Sequence, residues 1–481
     1  MERLEPLNKR ISERIERERQ EDVRTPLAMG HSRRVHKTRI VRDVIGTMTQ
    51  FPLRLGWALT IHKSQGLTLR HVCLDFGHKA PWAHGQTYVA LSRCTGLDGL
   101  FLKAPISDSN VIVDDRILDF LNDAGLGDSP ELDGNSTSFY APRASETSTG
   151  SKEELLELLE TSKDSFFITG PAGSGKSTLI REFVNNTEKN SVIVTFTGIA
   201  AINVGGQTIN SFFRIPPFNS KTREAKPLSK EECELYRSID IILIDEISMV
   251  RADLFDEMDE RMREAKQNDS PFGGVRMLLF GDYYQLPPID DVGETIAKGY
   301  GTEYAFSSNA YRSMNIKNIK LLKIHRQKED SIFLTCLNAI RTGTRREQLS
   351  SALAHINARF GVTPQETAAR SLVTLTTTRQ HAKQINETML GQLSGEEYHY
   401  SATVTGKFPI KENRIPAELD LVLKAGARVI FTQNDPNHQW VNGSRGIVTK
   451  LTEDSMNIKL DDGTLVSPNR FQFEMFEHKL G

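Results

Sequence analysis

Three short stretches of this sequence carry residues whose types and spacing handle phosphate chemistry. GPAGSGKST, at 170–178, matches the G-x-x-x-x-G-K-S spacing of a phosphate-binding loop. Gly173 and Gly175 let backbone N–H groups close round a β-phosphate. Lys176 reaches the β- and γ-phosphates, and the Ser177 hydroxyl suits a magnesium ion. Gly170, Pro171, Ala172, Ser174 and Thr178 complete the cradle for ATP. IILIDEISMV, at 241–250, ends an apolar run in Asp245, placed to hold the Mg2+ and its water shell. Glu246 follows, placed to polarise an attacking water. An isolated Asp-Glu pair is commonly a helix N-cap; beside a glycine loop in the same sheet the catalytic reading is stronger. GDYYQLPPI, at 281–289, supplies Gln285, whose neutral amide can report on the γ-phosphate and touch the water. Pro287 and Pro288 stiffen that loop, so its movement passes to its neighbours. Arg326, in HRQ, is a further γ-phosphate candidate, with a surface salt bridge as the alternative. Arg93, in YVALSRCTG at 88–96, ends a buried-helix pattern and precedes the phosphate loop in the chain.

The elements that must position these residues read as α/β. SFFITG, SVIVTFTG, IDIILIDE and VRMLLFGD are near-continuous apolar runs, each ending in a small or acidic residue and alternating with helical stretches. That pattern predicts a parallel sheet covered on both faces. HVCLDFG (71–77) reads as a buried strand followed by the helix HGQTYVALSRC, and RSLVTLTTT (370–378) as another strand. From about 396 short alternating segments with DDG and NGS turn signals predict a small antiparallel β unit. Six segments follow: a charged, basic arm at 1–42, a globular stretch at 43–122, a Gly/Ser/Thr/Pro-rich linker at 123–150, an α/β unit at 151–318, a second at 319–395, and the β unit at 396–481. HSRRVHKTRIVR in the arm is a mobile segment or a nucleic-acid contact.

The 481 residues suffice for two to four domains. A formal net charge of −2 gives no overall basic footprint, so an anionic partner must be held by a local patch. Four scattered cysteines without a CxxC pair argue against a metal site or disulfide framework and fit a reducing compartment. The charged N-terminus is not a secretory signal, and no apolar run is long enough to span a bilayer. The expectation is a cytoplasmic, monomeric protein with no membrane partner.

Together GPAGSGKST, TGIAAINVGGQTINSFF (197–213), IDEISMV, GDYYQLPPI, HRQ, VNGSRGIV (441–448), WALTIHKSQGLTL (57–69) and YVALSRCTGLDGL (88–100) resemble the Pif-type, RecD-like group of superfamily 1 DNA helicases. The resemblance implies two RecA-like domains with ATP between them, a small barrel-like β insert, and single-stranded DNA across the top. It makes Arg93 the arginine finger, reaching the γ-phosphate from the second domain, and places Gly66, with Gln65, near the nucleotide. On the DNA side it implies Thr197, Gln207, Thr208 and Asn210, although the family commonly carries histidine at the last position. His62, Lys63 and Ser64 should face phosphates, and Asn442 and Ser444 line a DNA-side loop unless NGS is a plain hairpin turn. Phe212 and Phe213 stack a base or sit in the core. Residues 214–230 are a duplex-parting wedge or a surface loop, and Glu153 or Lys152 stands where the family often reads adenine with glutamine.

The order of the motifs is the departure. In the family HKSQG and VALSR come last; here they come first, and each motif occurs once. The simplest reading is circular permutation, bridged by 123–150, with residues 40–50 packed beside 465–481. The resemblance implies 5′-to-3′ unwinding of duplex and fork DNA in replication, repair, recombination or telomere maintenance. A DNA-dependent ATPase that remodels protein–DNA complexes without unwinding is the alternative, followed by an RNA-directed helicase and a non-catalytic scaffold.

Overall fold

The computed structural model describes residues 40–127, 139–142, 147–197, 200–201, 204–216, 227–289, 294–322, 330–343, 346–365, 372–408, 415–435, 437, 439–440 and 442–480. Residues 1–39 of the basic arm, Arg326, and residues 217–226 of the expected wedge at 214–230 lie outside the described residues.

Six parallel strands form the body of the first sheet, in the order Gln207–Thr208, Ser191–Thr195, Ile241–Asp245, Arg276–Gly281, Ser165–Thr169 and Ile316–Leu321. Their apolar runs are explained by cover on both faces. Leu155, Leu159, Leu179, Ile180 and Phe183, from helices Lys152–Thr161 and Lys176–Asn186, bury one face. Helices Lys230–Ser238 and Ala252–Lys266 contribute to the cluster on the other, joined by Ile117 and Leu121 of helix Asp115–Asp123. Two corrections follow for segment edges. The expected linker carries a hairpin, Phe139–Pro142 with Thr147–Gly150, that extends the sheet edge beside Ile316–Leu321. Strand Ile316–Leu321 pairs with Ser165–Thr169, so the first unit runs past 318.

The second sheet is woven from both halves of the chain. Its four parallel strands run Ala58–Thr60, Leu372–Thr376, His71–Leu74, Leu100–Leu102. Leu372–Thr376 lies between two strands that precede it by about 300 residues, so neither chain region completes this sheet alone. The same mixing recurs in its core. Leu59, Val72, Leu74 and Val89 pack with Phe333 and Ile340 of helix Ser331–Thr342, Leu353 of helix Arg346–Asn357, and Val373. Each such fully buried aliphatic or aromatic side chain contributes roughly 1.5–3 kcal/mol of transfer free energy.

The antiparallel unit also spans the two regions. Leu53–Leu55 pairs with Arg428–Phe431, followed by Arg445–Leu451, Met456–Leu460 and Leu465–Val466. Strand Ile40–Gln50 pairs antiparallel with Phe471–Leu480, from Ile40 opposite Leu480 to Gln50 opposite Phe471, as expected for the rearranged order. Residues 40–55 therefore belong to this β region and not to the second parallel sheet. The DDG turn joins Met456–Leu460 to Leu465–Val466, whereas NGS ends a long connection between strands rather than forming a two-residue turn.

Candidate functional site

Parallel sheets present their ligand sites at the carboxyl ends of the strands, and the phosphate loop follows Thr169 there. Gly173 (φ +83°) and Gly175 (φ +90°) occupy the left-handed region, and Gly175 caps the helix that begins at Lys176. Gly170 is closed in by Leu321, whose Cβ would stand 2.9 Å from an added Cβ. Lys176 is buried, and its Nζ donates to the carbonyl oxygens of Gly170 (2.6 Å) and Pro171 (3.2 Å). Burial lowers its pKa, opposed by the charges of Asp282 and Glu246. The loop is thus folded on its own lysine, which has carbonyl partners that phosphate oxygens would replace.

Asp245 ends its strand, and its Oδ2 accepts from Ser177 Oγ at 3.2 Å. Glu246 is held at φ +57°, ψ +49°, a region that non-glycine residues rarely adopt. The next residue packs closely on the neighbouring strand: Ile247 Cγ2 and N would stand 2.8 and 3.0 Å from a Cβ added at Gly281. Burial, then the neighbouring Asp245 charge, pushes the Glu246 carboxyl up to about 7, and burial pushes Asp245 up as well. Glu246 Oε2 is buried and finds no hydrogen-bond partner among the described residues. A carboxylate poised near neutrality with a free acceptor oxygen is suited to take a proton from water.

Gln285 is buried in the loop after Arg276–Gly281, its N–H donating to Asp282 O at 2.9 Å. Arg93 is 2% exposed at the end of helix Gln86–Leu91. Its guanidinium donates to Val89 O (3.0 Å), Ser92 Oγ (3.0 Å) and Ser64 O (3.5 Å), and makes no ion pair among the described residues. Burial lowers its pKa, while Tyr88, Glu246 and Asp282 raise it, so a charge from residues 88–96 acts on carboxylates of the first sheet. Contacts at the helix start bring the two units together. His84 Nε2 lies 2.9 Å from Tyr283 O, and Tyr88 OH accepts from Ala172 N–H at 3.0 Å. Gly85 (φ +71°) sits so close to the Tyr284 and Gln285 carbonyls that an added Cβ would fall 2.4–2.5 Å from them.

Sequence reasoning passed over Asp282, Arg341, Tyr88, His84 and Trp82. Asp282 is legible in hindsight, as a second acid ending an apolar strand like Asp245. Arg341 gave no signal, being one arginine on an ordinary amphipathic helix.

The strand-binding candidates fare differently. Phe212 and Phe213 are buried and pack on Tyr236, which takes them out of reach of a base. Gln207 is buried too, its Oε1 accepting the His478 N–H at 3.1 Å and facing that ring's Nδ1. Burial depresses the His478 imidazole to about 3, so it remains neutral. Ser64 is buried and donates to Ile61 O at 2.7 Å instead of facing phosphate. Thr208 caps helix Ile209–Phe212, and Asn210 Nδ2 donates to Ile215 O at 3.2 Å. Thr197 Oγ1 accepts from Ala200 N–H, and Asn442 N–H donates to Asn434 Oδ1. Ser444 O accepts from Phe431 N–H. His62 and Lys63 are half-buried, Gly66 is exposed at φ +80°, and Gln65 Nε2 is buried with no hydrogen-bond partner among the described residues. Trp82, 62% exposed, lies roughly parallel to the His62 ring, centroids 6.4 Å apart. Lys152 pairs with Glu182, and Glu153 is exposed.

A family profile described as PIF1-like helicase matches residues 153–350. ATP-dependent DNA helicase Pif1 of Bdellovibrio bacteriovorus is 29% identical over 326 residues, covering 66% of this chain and 71% of that protein. The chain is thus similar to PIF1-like helicases. Its two parallel-sheet units are consistent with the two RecA-like domains of such helicases, accompanied by antiparallel sheets. The solved structure of Bacteroides sp Pif1 in complex with ADP-AlF4 superposes with a TM-score of 0.56 at 29% identity, covering 68% of this chain and 80% of that one. ATP-dependent DNA helicase RRM3 of Saccharomyces cerevisiae is also 29% identical over 326 residues, or 65% of this chain, which spans 43% of that family member's length.

Proposed function

We propose that this chain is an ATP-driven DNA helicase whose second motor domain is assembled from residues 57–111 and 330–395. The observation that carries the reading is the seating of the helix before Arg93 on the phosphate loop and the Gln285 loop, with Tyr88 OH accepting from Ala172 N–H at 3.0 Å and His84 Nε2 2.9 Å from Tyr283 O. The relatives' names, ATP-dependent DNA helicase, supply the substrate and the partner. The motif order supports a circular permutation of the family's usual chain.

Each residue then has a task. Backbone N–H groups of 172–176 and Lys176 take the β- and γ-phosphates of ATP. Ser177 and Asp245 are hard oxygen donors 3.2 Å apart, a set that fits Mg2+. When bound, Mg2+ neutralises charge on the phosphates. Glu246 accepts the proton of the attacking water, and Gln285 orients that water. Arg93 offsets the charge that develops on the γ-phosphoryl group, which makes hydrolysis depend on closure of the two domains. Arg326 joins it at the γ-phosphate. Closure and reopening alternate the grip of the two domains on a single strand, held by His62, Lys63 and Thr197 and the loop at 442–444. Melting a base-pair step costs roughly 1.4 kcal/mol, within reach of a nucleotide-driven step. The direction is 5′ to 3′.

Strand displacement with ATP and Mg2+ tests this, comparing a duplex bearing a 5′ single-stranded tail with one bearing a 3′ tail. Unwinding from the 5′ tail alone is expected. DNA-stimulated ATPase without unwinding from either tail would instead favour a translocase.

A further inference from the structure

A buried ion pair that the nucleotide chemistry does not use crosses between the two motor domains. Arg341 sits near the end of helix Ser331–Thr342, whose Phe333, Leu337 and Ile340 are in the second domain's core. Its guanidinium leaves that domain and forks Asp282 of the first, with Nη2 to Oδ1 at 2.8 Å and Nε to Oδ2 at 3.3 Å. Asp282 is fully buried and the Arg341 side chain is 8% exposed. The same guanidinium lies 4.2 Å from the centroid of the Tyr284 ring and 6.0 Å from that of Tyr88. Tyr284 belongs to the Gln285 loop. Tyr88 belongs to helix Gln86–Leu91, which ends just before Arg93, and its hydroxyl accepts from Ala172 N–H of the phosphate loop. One planar cation thus touches the carboxylate, the loop and the helix that the reaction must bring into register. A forked, stacked guanidinium fixes orientation in a way a point charge does not.

We propose that Arg341 is a positioning residue: by clamping Asp282 and packing on Tyr284 and Tyr88, it seats the second domain on the first and aims Arg93 at the phosphate loop. The inference rests on the motor reading above. It touches neither nucleotide nor metal itself and acts through Arg93. A misplacement of reacting groups by about 1 Å costs on the order of 10²-fold in rate, which sets the expected size of the effect.

Single-turnover ATP hydrolysis at saturating single-stranded DNA is measured for the parent, Arg341→Gln, Arg93→Ala and the double variant, alongside binding of a fluorescent ADP analogue. Arg341→Gln is expected to slow hydrolysis on the order of 10²-fold while nucleotide affinity stays near the parent's. Added to Arg93→Ala it should slow hydrolysis no further, because the residue it positions is already gone. Arg341→Lys keeps the charge but loses the fork and the stack, and carries the same comparison should Arg341→Gln fail to fold. Losses that multiply in the double variant, or a single variant as fast as the parent, overturn the proposal. A parent that hydrolyses no ATP would overturn the motor reading itself, a separate result.

Discussion

The proposed nucleotide cleft and the candidate strand-binding face of this protein draw on similar polar residues and put them to opposite uses. In the cleft, Lys176, Asp245, Glu246, Asp282, Arg341 and Arg93 are buried or nearly so, and several act on one another electrostatically. Burial alone would push the Asp282 carboxyl up; the charges of Arg341 and Lys176 outweigh it and hold it below its usual range. On the strand face, Gln207, Thr208, Asn210 and Ser64 spend their side-chain groups on neighbouring protein atoms. Ionised groups are costly to bury without a purpose, so a cluster of them marks chemistry. Amides and hydroxyls are as useful for capping and bracing as for touching phosphate, so their presence in a motif marks less.

The sharpest separation of the two regions comes from Arg93. Arg93→Ala is expected to lower DNA-stimulated ATP turnover by about 10³–10⁵-fold with nucleotide binding retained, read by steady-state ATPase and analogue titration. A loss confined to DNA binding would move Arg93 out of the cleft. Glu246→Gln should lower turnover by about 10²–10⁴-fold. The Glu246 carboxyl is pushed up to about 7, so kcat/KM in the parent should rise as pH climbs through neutrality and the base ionises. In Glu246→Gln that rise should vanish; a pH profile that keeps it assigns the titration to another group.

On the other side of the comparison, Phe212→Ala should cost about 3–5 kcal/mol of folding stability in denaturant titrations, as a large core truncation does. If the variant were fully stable but weakened in binding single-stranded DNA, the ring would be a base platform after all. Lys63→Ala should have the smallest effect: a flatter salt dependence of single-strand binding, with the log–log slope reduced by about 0.7 for one phosphate contact. An unchanged slope would remove Lys63 from the strand path.

The legibility of the sequence follows the same division. Gly173, Gly175, Lys176 and Asp245 stand where strand-to-loop chemistry forces particular residue types at fixed spacing, and the structure brings them together. The packing of 40–50 beside the 465–481 segment was legible from motif order, because a permuted chain whose new ends open in one β unit keeps those ends as neighbours. Phe212 and Gln207 misled because a motif stretch serves its own packing as well as its ligand: both contact His478 of strand Phe471–Leu480. Arg341 was invisible because its role depends on a carboxylate 59 positions away in sequence, on the other motor domain.

The central claim is that the early segment carrying Arg93 completes the same chain's own motor. Mixing Arg93→Ala with Lys176→Ala protein and measuring DNA-stimulated ATPase tests it directly. A finger that serves its own phosphate loop predicts no activity beyond the sum of the two inactive variants. Recovery of a substantial fraction of parental turnover in the mixture would contradict the account, because it would place each Arg93 on the loop of another molecule.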